Sequence, residues 1–329
     1  MHRLNDDGGA VAVIVAIFAV GLIGMAAFAL DTGRLYQERR ELQNGADASA
    51  LAIAEDCLIN PASCTYGGAD ATADAYGDSN ADDGASTVDE LLLDPIGQSV
   101  TVKLQTEDLD GGSILAPIFG QVVGFDGATV RARASAVWGQ AGSMATVPLI
   151  ISDCEWNDPL RPSELQTPPT FDVDPWLFVF HQGNQGRTCD HSNSGFDLPG
   201  GFGWLDTDAG PCRSLFTAGE WSDGVDPGSS PSSSCTPAAI ADALLNKVSF
   251  LPYYEEKQST GNNGSYLVSS LGAFWITGYN FGGGFKEPST DPPCTGTTRC
   301  IEGYFIKATT SDGDPGGPNR GASIVKLIP

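Results

Sequence analysis

The chain reads as an α+β protein in three parts: a long N-terminal transmembrane helix continuing into a small α+β head, then a β-rich, disulfide-bonded C-terminal domain. Three observations predict this. Residues Ala10–Leu30 form a 21-residue run without one charged, amide or hydroxyl side chain. A proline-free stretch with helical period follows it to Glu55. Beyond that point Gly, Pro and Ser punctuate short apolar runs, and all eight cysteines lie there.

At about 1.5 Å per residue the apolar run is about 31 Å long as a helix, against a hydrocarbon core of roughly 30 Å. A cleaved signal peptide is the rival reading, and Ala27-Phe28-Ala29 has the form of a cleavage site. The run is longer than the usual h-region of about 7–15 residues, and Asp6 and Asp7 accompany a single Arg3 before it. A retained anchor is therefore expected, with residues 1–9 cytoplasmic and 10–30 spanning. Arg34, Arg39 and Arg40 on the far side outweigh Arg3, which taken alone favours the opposite orientation. Long domains translocate largely regardless of flanking charge, and the cysteines decide for a C-terminal bulk outside the cytoplasm.

From Asp31 the helical pattern continues. Leu35, Leu42, Ala46, Ala50 and Ile53 make one apolar stripe, with Gln37–Glu41 facing away and Gly45 a place for a bend. Ala69–Tyr76 predicts a short helix ended by the Asp/Asn/Gly cluster at 77–84. Gln98–Thr106 and Ala128–Trp138 alternate as half-buried strands, and Ser113–Val123 reads as a short helix broken at Pro117. These make a head over 31–140, followed by a linker at 141–147. Residues 148–329 form the β-rich domain, whose one expected helix is Pro237–Lys247, with Thr236 as N-cap and Pro237 at N1.

The 17 Lys and Arg against 41 Asp and Glu give a formal charge of −24, which excludes nucleic acid or anionic lipid as charge-driven partners. Cys57 with Cys64 and Cys294 with Cys300 are spaced as local disulfide clasps. Cys154, Cys189, Cys212 and Cys235 allow three pairings, of which Cys154–Cys189 with Cys212–Cys235 is preferred. No C-x-x-C occurs and histidine is scarce, which speaks against zinc and for an oxidising compartment.

Candidate chemistry is thin. Asp190, Ser192 and Ser194 fit the D-x-S-x-S pattern of an adhesion-type metal site, but a Gly-containing loop separates them from the nearest strand. Asp78-Ser79-Asn80-Ala81-Asp82 begins like a calcium loop, with Gly84 and Glu90 each one place late. Asp206-Thr207-Asp208 and Asp312-Gly313-Asp314 are weaker still. His181 and His191 are the only ectodomain imidazoles, and neither sits in a catalytic motif. Glu220 beside Trp221 is a candidate acid, whereas the adjacent Glu255 and Glu256 would point to opposite strand faces. Distal aromatics (Trp156, Trp176, Phe178, Phe180, Phe196, Phe202, Trp204, Trp221, Tyr253, Tyr254, Phe274, Trp275, Tyr279) offer a glycan- or protein-binding face if exposed, and a β-domain core otherwise. No cofactor is expected.

Gly8-Gly9-Ala10-Val11-Ala12-Val13, Leu30-Asp31-Thr32-Gly33-Arg34-Leu35-Tyr36 and Glu41-Leu42-Gln43-Asn44-Gly45-Ala46-Asp47-Ala48-Ser49-Ala50-Leu51-Ala52 together resemble the TadG-like N-terminal domain of Flp (tight-adherence) pilus assembly proteins. Thr129–Ala136 is similar to the end of that family's head. The resemblance implies a single-pass envelope protein of a pilus machine that anchors or joins the fibre without catalysis, its partners being the bilayer and other pilus-assembly proteins. A prepilin-type cut at Gly9 would want Glu where Ile14 stands. Gly21 and Gly24 are the expected helix-packing face within the membrane, since small residues let helices approach closely. The alternatives are a tethered adhesin working through the distal aromatics, and a tethered hydrolase.

Overall fold

One helix, α1 (Gly8–Ile59), carries the chain unbroken for 52 residues in the computed structural model. The structure describes residues 8–108, 110–179, 202–207, 210–223, 231–258, 264–287, 294 and 299–329. Two units emerge, Met1–Val137 with Leu327–Pro329, and Trp138–Lys326.

In the first unit, α1 changes character along its length. Its first half is bare, whereas Leu42, Ala46, Ala50, Ile53 and Ala54 are almost fully buried and Leu35 is half-buried. The predicted stripe is thus the packing face. The Cys57–Cys64 disulfide closes the corner into α2 (Tyr66–Asn80), whose first turn is capped by Thr65 accepting from the Gly68 amide at 3.3 Å. The face that α2 buries is small: Ala69, Ala73 and Gly77. It meets an equally small face of α1, where the Ser49 hydroxyl donates to the carbonyls of Gly45 (2.7 Å) and Ala73 (3.2 Å).

The sheet beneath is antiparallel in the order β1 (Ser86–Asp94), β2 (Ser99–Thr106), β3 (Arg131–Thr146). Val100, Val102 and Leu104 alternate inward from β2 and are at most 1% exposed. Strand β1 was not foreseen. Its apolar residues Leu91, Leu92 and Leu93 are consecutive, and a bulge at Asp89 breaks the two-residue period. That bulge brings Asp89 to Lys103 (2.5 Å) and Arg131 (3.2 Å). The helix expected over 113–123 shrinks to a 3₁₀ turn, Gly120–Val123. Segment 141–147, expected as a linker, is strand as far as Thr146, and β3 runs on from the first unit into the second.

Gly45 is not a bend. A side chain there would sit 3.1 Å from Leu104 Cδ1 and 3.2 Å from Gly77 Cα, so the residue exists to let α2 and β2 come close. Gly33, by contrast, has open space around it. Gly33→Ala is therefore expected to stabilise the chain by about 0.5–1 kcal/mol through helix propensity. Gly45→Ala should lose that gain to crowding. Urea unfolding of the detergent-solubilised pair measures the difference.

In the second unit the chain makes β4 (Leu149–Ser152), α3 (Asp153–Asn157), β5 (Trp176–Val179), β6 (Phe202–Trp204), β7 (Ser214–Thr217), β8 (Trp221–Asp223), α4 (Pro237–Leu244), β9 (Val248–Gln258) and β10 (Ser265–Gly282). There follow β11 (Phe285–Glu287), β12 (Cys300–Phe305), β13 (Ala308–Thr310), β14 (Asp314–Pro315) and β15 (Ala322–Ile328), whose last two residues are counted with the first unit. The main sheet runs β5-β12-β10-β9-β4-β6, with β8 and β11 also on β10. Both its faces are covered. Leu149, Ile151, Leu251, Tyr253, Phe274 and Ile276 point into an aromatic-rich core roofed by Ile240 and Leu244 of α4. Their neighbours Ile150, Tyr254, Leu271 and Ala273 point into a second core with Met144, Phe216 and Ile324. Thr236 caps α4 by accepting from the Ala239 amide at 3.2 Å, and Pro237 opens the helix, both as expected.

Cys294–Cys300 is bonded as its spacing predicts, and Cys212–Cys235, one of the pairings left open and the preferred one, is bonded too. Cys154 is disulfide-bonded as well. Cys189 lies outside the described residues.

Candidate membrane anchor

From Val11 to Leu30 the large apolar side chains of α1 are 54–75% exposed on every side of the helix, and no described part of the chain covers them. The mean hydropathy of its most apolar window is 2.8. A helix hydrophobic all round needs an apolar solvent. Gly21 and Gly24 lie in this bare stretch, three residues apart on one face, with nothing within 4 Å.

The polar part begins at once. The Asp31 carboxylate accepts from three successive backbone amides: Ile118 at 2.8 Å, Phe119 at 3.1 Å and Gly120 at 2.7 Å. Pro117, which lacks an amide hydrogen, breaks a helix entering from Ser113, and Gly124 at φ 82° ends the turn that follows. Along the same helix the Arg34 guanidinium donates to the Ala116 carbonyl (3.1 Å), Arg39 to that of Arg131 (3.5 Å) and Gln43 to that of Arg133 (3.2 Å). Side chains of α1 thus grip the backbone of the head at residues 31, 34, 39 and 43. On another side, Glu41 accepts from the Asp82 amide at 3.0 Å.

Burial against the head holds the Glu38 carboxyl above its ordinary range. A hydrogen bond to Thr106 opposes this, Asp83 and Glu41 add to it, and Arg34 opposes it. The folded state therefore binds this proton more tightly than the unfolded chain, and stability rises as pH falls through that elevated value toward 4.5. Glu38→Gln is expected to stabilise the head at pH 7, with the gain shrinking toward pH 4.5. Asp89 has the opposite sign, because its hydrogen bond and ion pair with Lys103, with Arg131 nearby, hold it below the usual carboxylate range. Asp89→Asn should destabilise at pH 7 and become neutral below the depressed value. Urea midpoints against pH measure both.

Among the described residues the other candidates do not assemble. Asp190, Ser192, Ser194, His181 and His191 lie outside the described residues. Asp78, Ser79 and Asn80 are the last turn of α2, not a loop. The Asp78 carboxylate accepts from the Ser86 amide (2.8 Å) and hydroxyl (3.2 Å), and Asn80 donates to the Tyr76 carbonyl (2.7 Å). Asp314 accepts from Lys326 and Ser143. Asp206 falls just after β6, and Asp208 lies outside the described residues. Glu220 is exposed, as are Glu255 and Glu256. Among the described residues no group of three His, Cys, Asp or Glu is placed to hold a metal ion.

The distal aromatics are mostly core. Trp156, Trp176, Phe178, Phe202, Trp204, Tyr253, Tyr254, Phe274 and Tyr279 are buried, Trp275 is half-buried, and Trp221 is exposed at 41%. Phe180 and Phe196 lie outside the described residues. Among the described rings of this set Trp221 alone is exposed, and these rings present no continuous binding face. A cavity of about 270 Å³ lined by Met144, Arg213, Ser249, Phe250 and Asp312 offers no acid–base pair, since Ser249 donates to the Leu244 carbonyl and Arg213 to that of Ala145. Sequence reasoning missed Asp31. The one available signal was an acid set directly against the end of a 21-residue apolar run.

Among the described residues one helix is long and apolar enough to cross a membrane, and it is rooted in a disulfide-bonded α+β head. Residues 9–55 match the family described as Flp pilus-assembly TadE/G-like, so the chain carries an N-terminal Tad-type domain, on α1. No curated protein and no solved structure matches the chain.

Proposed function

We propose that this protein is a non-catalytic, membrane-anchored component of a Tad/Flp-type pilus assembly or secretion apparatus, acting as an anchor or minor pilin-like subunit. Its N-terminus would be cytoplasmic and its disulfide-bonded bulk, a head over 31–140 and a β-rich domain over 148–329, extracytoplasmic. One observation carries the reading: the family match covers the same helix whose first half is bare and whose second half is gripped by the head. Gly21 and Gly24 would seat a neighbouring pilus protein's helix, because a helix face without side chains admits close approach.

Alkaline carbonate extraction of membranes tests the anchor, and co-purification with pilus-assembly proteins tests the role. Wild-type protein is expected to stay with the membrane and carry those proteins along. Gly21→Ile with Gly24→Ile should keep the first property and lose the second. Release by carbonate, or cysteines found reduced in living cells, would overturn the proposal.

A further inference from the structure

Residues Ser113–Phe125 contain no charged side chain, in a protein with 58 charged residues, 17 basic and 41 acidic. Within this stretch Ile118, Phe119 and Phe125 are 58%, 40% and 43% exposed. They are held together. The Phe125 amide donates to the Gly120 carbonyl at 3.0 Å, and Gly120 is wedged against the Phe125 ring and the buried Pro117. The group is fixed at a defined height by the three amides on Asp31 and the Arg34 bond to Ala116. Asp31 is the residue next to Leu30, about 1.5 Å along the axis from the end of the apolar run.

We propose that this loop is an apolar collar that enters the lipid interface around the base of the span, so that the protein touches the bilayer with its helix and with Ile118, Phe119 and Phe125. The occupant of the exposed face is the headgroup–acyl boundary. The face is tied to Asp31, the residue at which the bare span ends, and large apolar side chains at that level are left toward solvent only if lipid is absent. The missing charges fit the same environment, because a stretch inserted roughly 5–10 Å into that boundary leaves no room for hydrated ions. Asp31 makes the insertion tolerable by satisfying backbone amides that lipid could not. The collar rests on the anchor reading, and its test separates the two.

The full-length protein is reconstituted in phosphatidylcholine vesicles with a benzophenone side chain, in separate variants, at Phe18, Phe119 or Ile96. Phe18 lies in the span, and Ile96 is 96% exposed in the β1–β2 turn, at the opposite end of β2 from Thr106. Illumination is expected to give lipid adducts at Phe18 and Phe119, several-fold above Ile96. Adducts at Phe18 without Phe119 overturn the collar and leave the anchor. No lipid adduct at Phe18 overturns the anchor itself. Protein adducts at Phe119 make the loop a protein contact and also overturn the collar. Phe125→Trp supplies an independent readout: its added emission should be quenched by lipids brominated near the headgroup, and unquenched emission counts against insertion.

Discussion

Trp156→Ala is expected to cost the second unit about 3–5 kcal/mol, the range for removing a buried indole. The ring sits on the five-residue helix α3, 9% exposed, edge-on to Tyr253 (5.9 Å between centroids) and Phe305 (5.4 Å). Two guanidinium groups also use it. Arg161 stands 4.3 Å from the ring centroid and Arg320 5.1 Å from it. Each is oriented by hydrogen bonds, Arg161 to the Trp156 carbonyl (2.7 Å) and Arg320 to Asp153 (2.7 Å). Burial, with the like charge of Arg320 adding to it and Tyr253 opposing, holds the Arg161 guanidinium below its ordinary pKa. Alanine removes the π surface on which both cations rest and leaves a cavity beside the core. Hydrogen exchange should then show lost protection in β9, β10 and β12. Trp156→Phe, which keeps a ring between the cations, should recover much of the loss. Equal effects of the two substitutions would show that the cation contacts contribute nothing.

Leu104→Ala is the counterpart in the first unit, with an expected loss of about 2–5 kcal/mol. Leu104 is fully buried, and it fills the place where α1, α2 and β2 converge over two glycines. Because Gly45 and Gly77 have no side chains to move, the neighbourhood cannot collapse into the void, which argues for the upper part of that range. A urea midpoint shift with an unchanged slope would confirm a pure loss of packing. A loss below 1 kcal/mol would mean that the helices close over the gap.

Legibility in the sequence followed locality. The apolar run, the stripe on α1, the Thr236–Pro237 start of α4 and the short disulfides are encoded by neighbours within a few residues, and each was readable. Strand β1 was not, because its period is broken by a bulge whose sense comes only from Lys103 and Arg131 on the adjoining strands. The 113–123 segment misled for a related reason. Helix propensity cannot anticipate that Leu115 will pair with Ala128 as a β-bridge, or that the backbone at 118–120 will be tied to a carboxylate 87–89 positions away. Gly45 looked like a weak point in a helix, and only its distance to Gly77 shows that it is a point of closest approach. The aromatics could not be sorted into surface and core until the two-faced sheet was known.

The continuity of α1 governs what happens when the bilayer is thicker or thinner than the span. A helix in lipid accommodates such mismatch by leaning, and no hinge separates the leaning half from the half that carries the α+β layer. With the Asp31 clasp forbidding slippage along the axis, membrane thickness would become an angle at which the α+β layer of the first unit is held out. A sterol-rich or thinned patch would then reorient that layer through the helix alone.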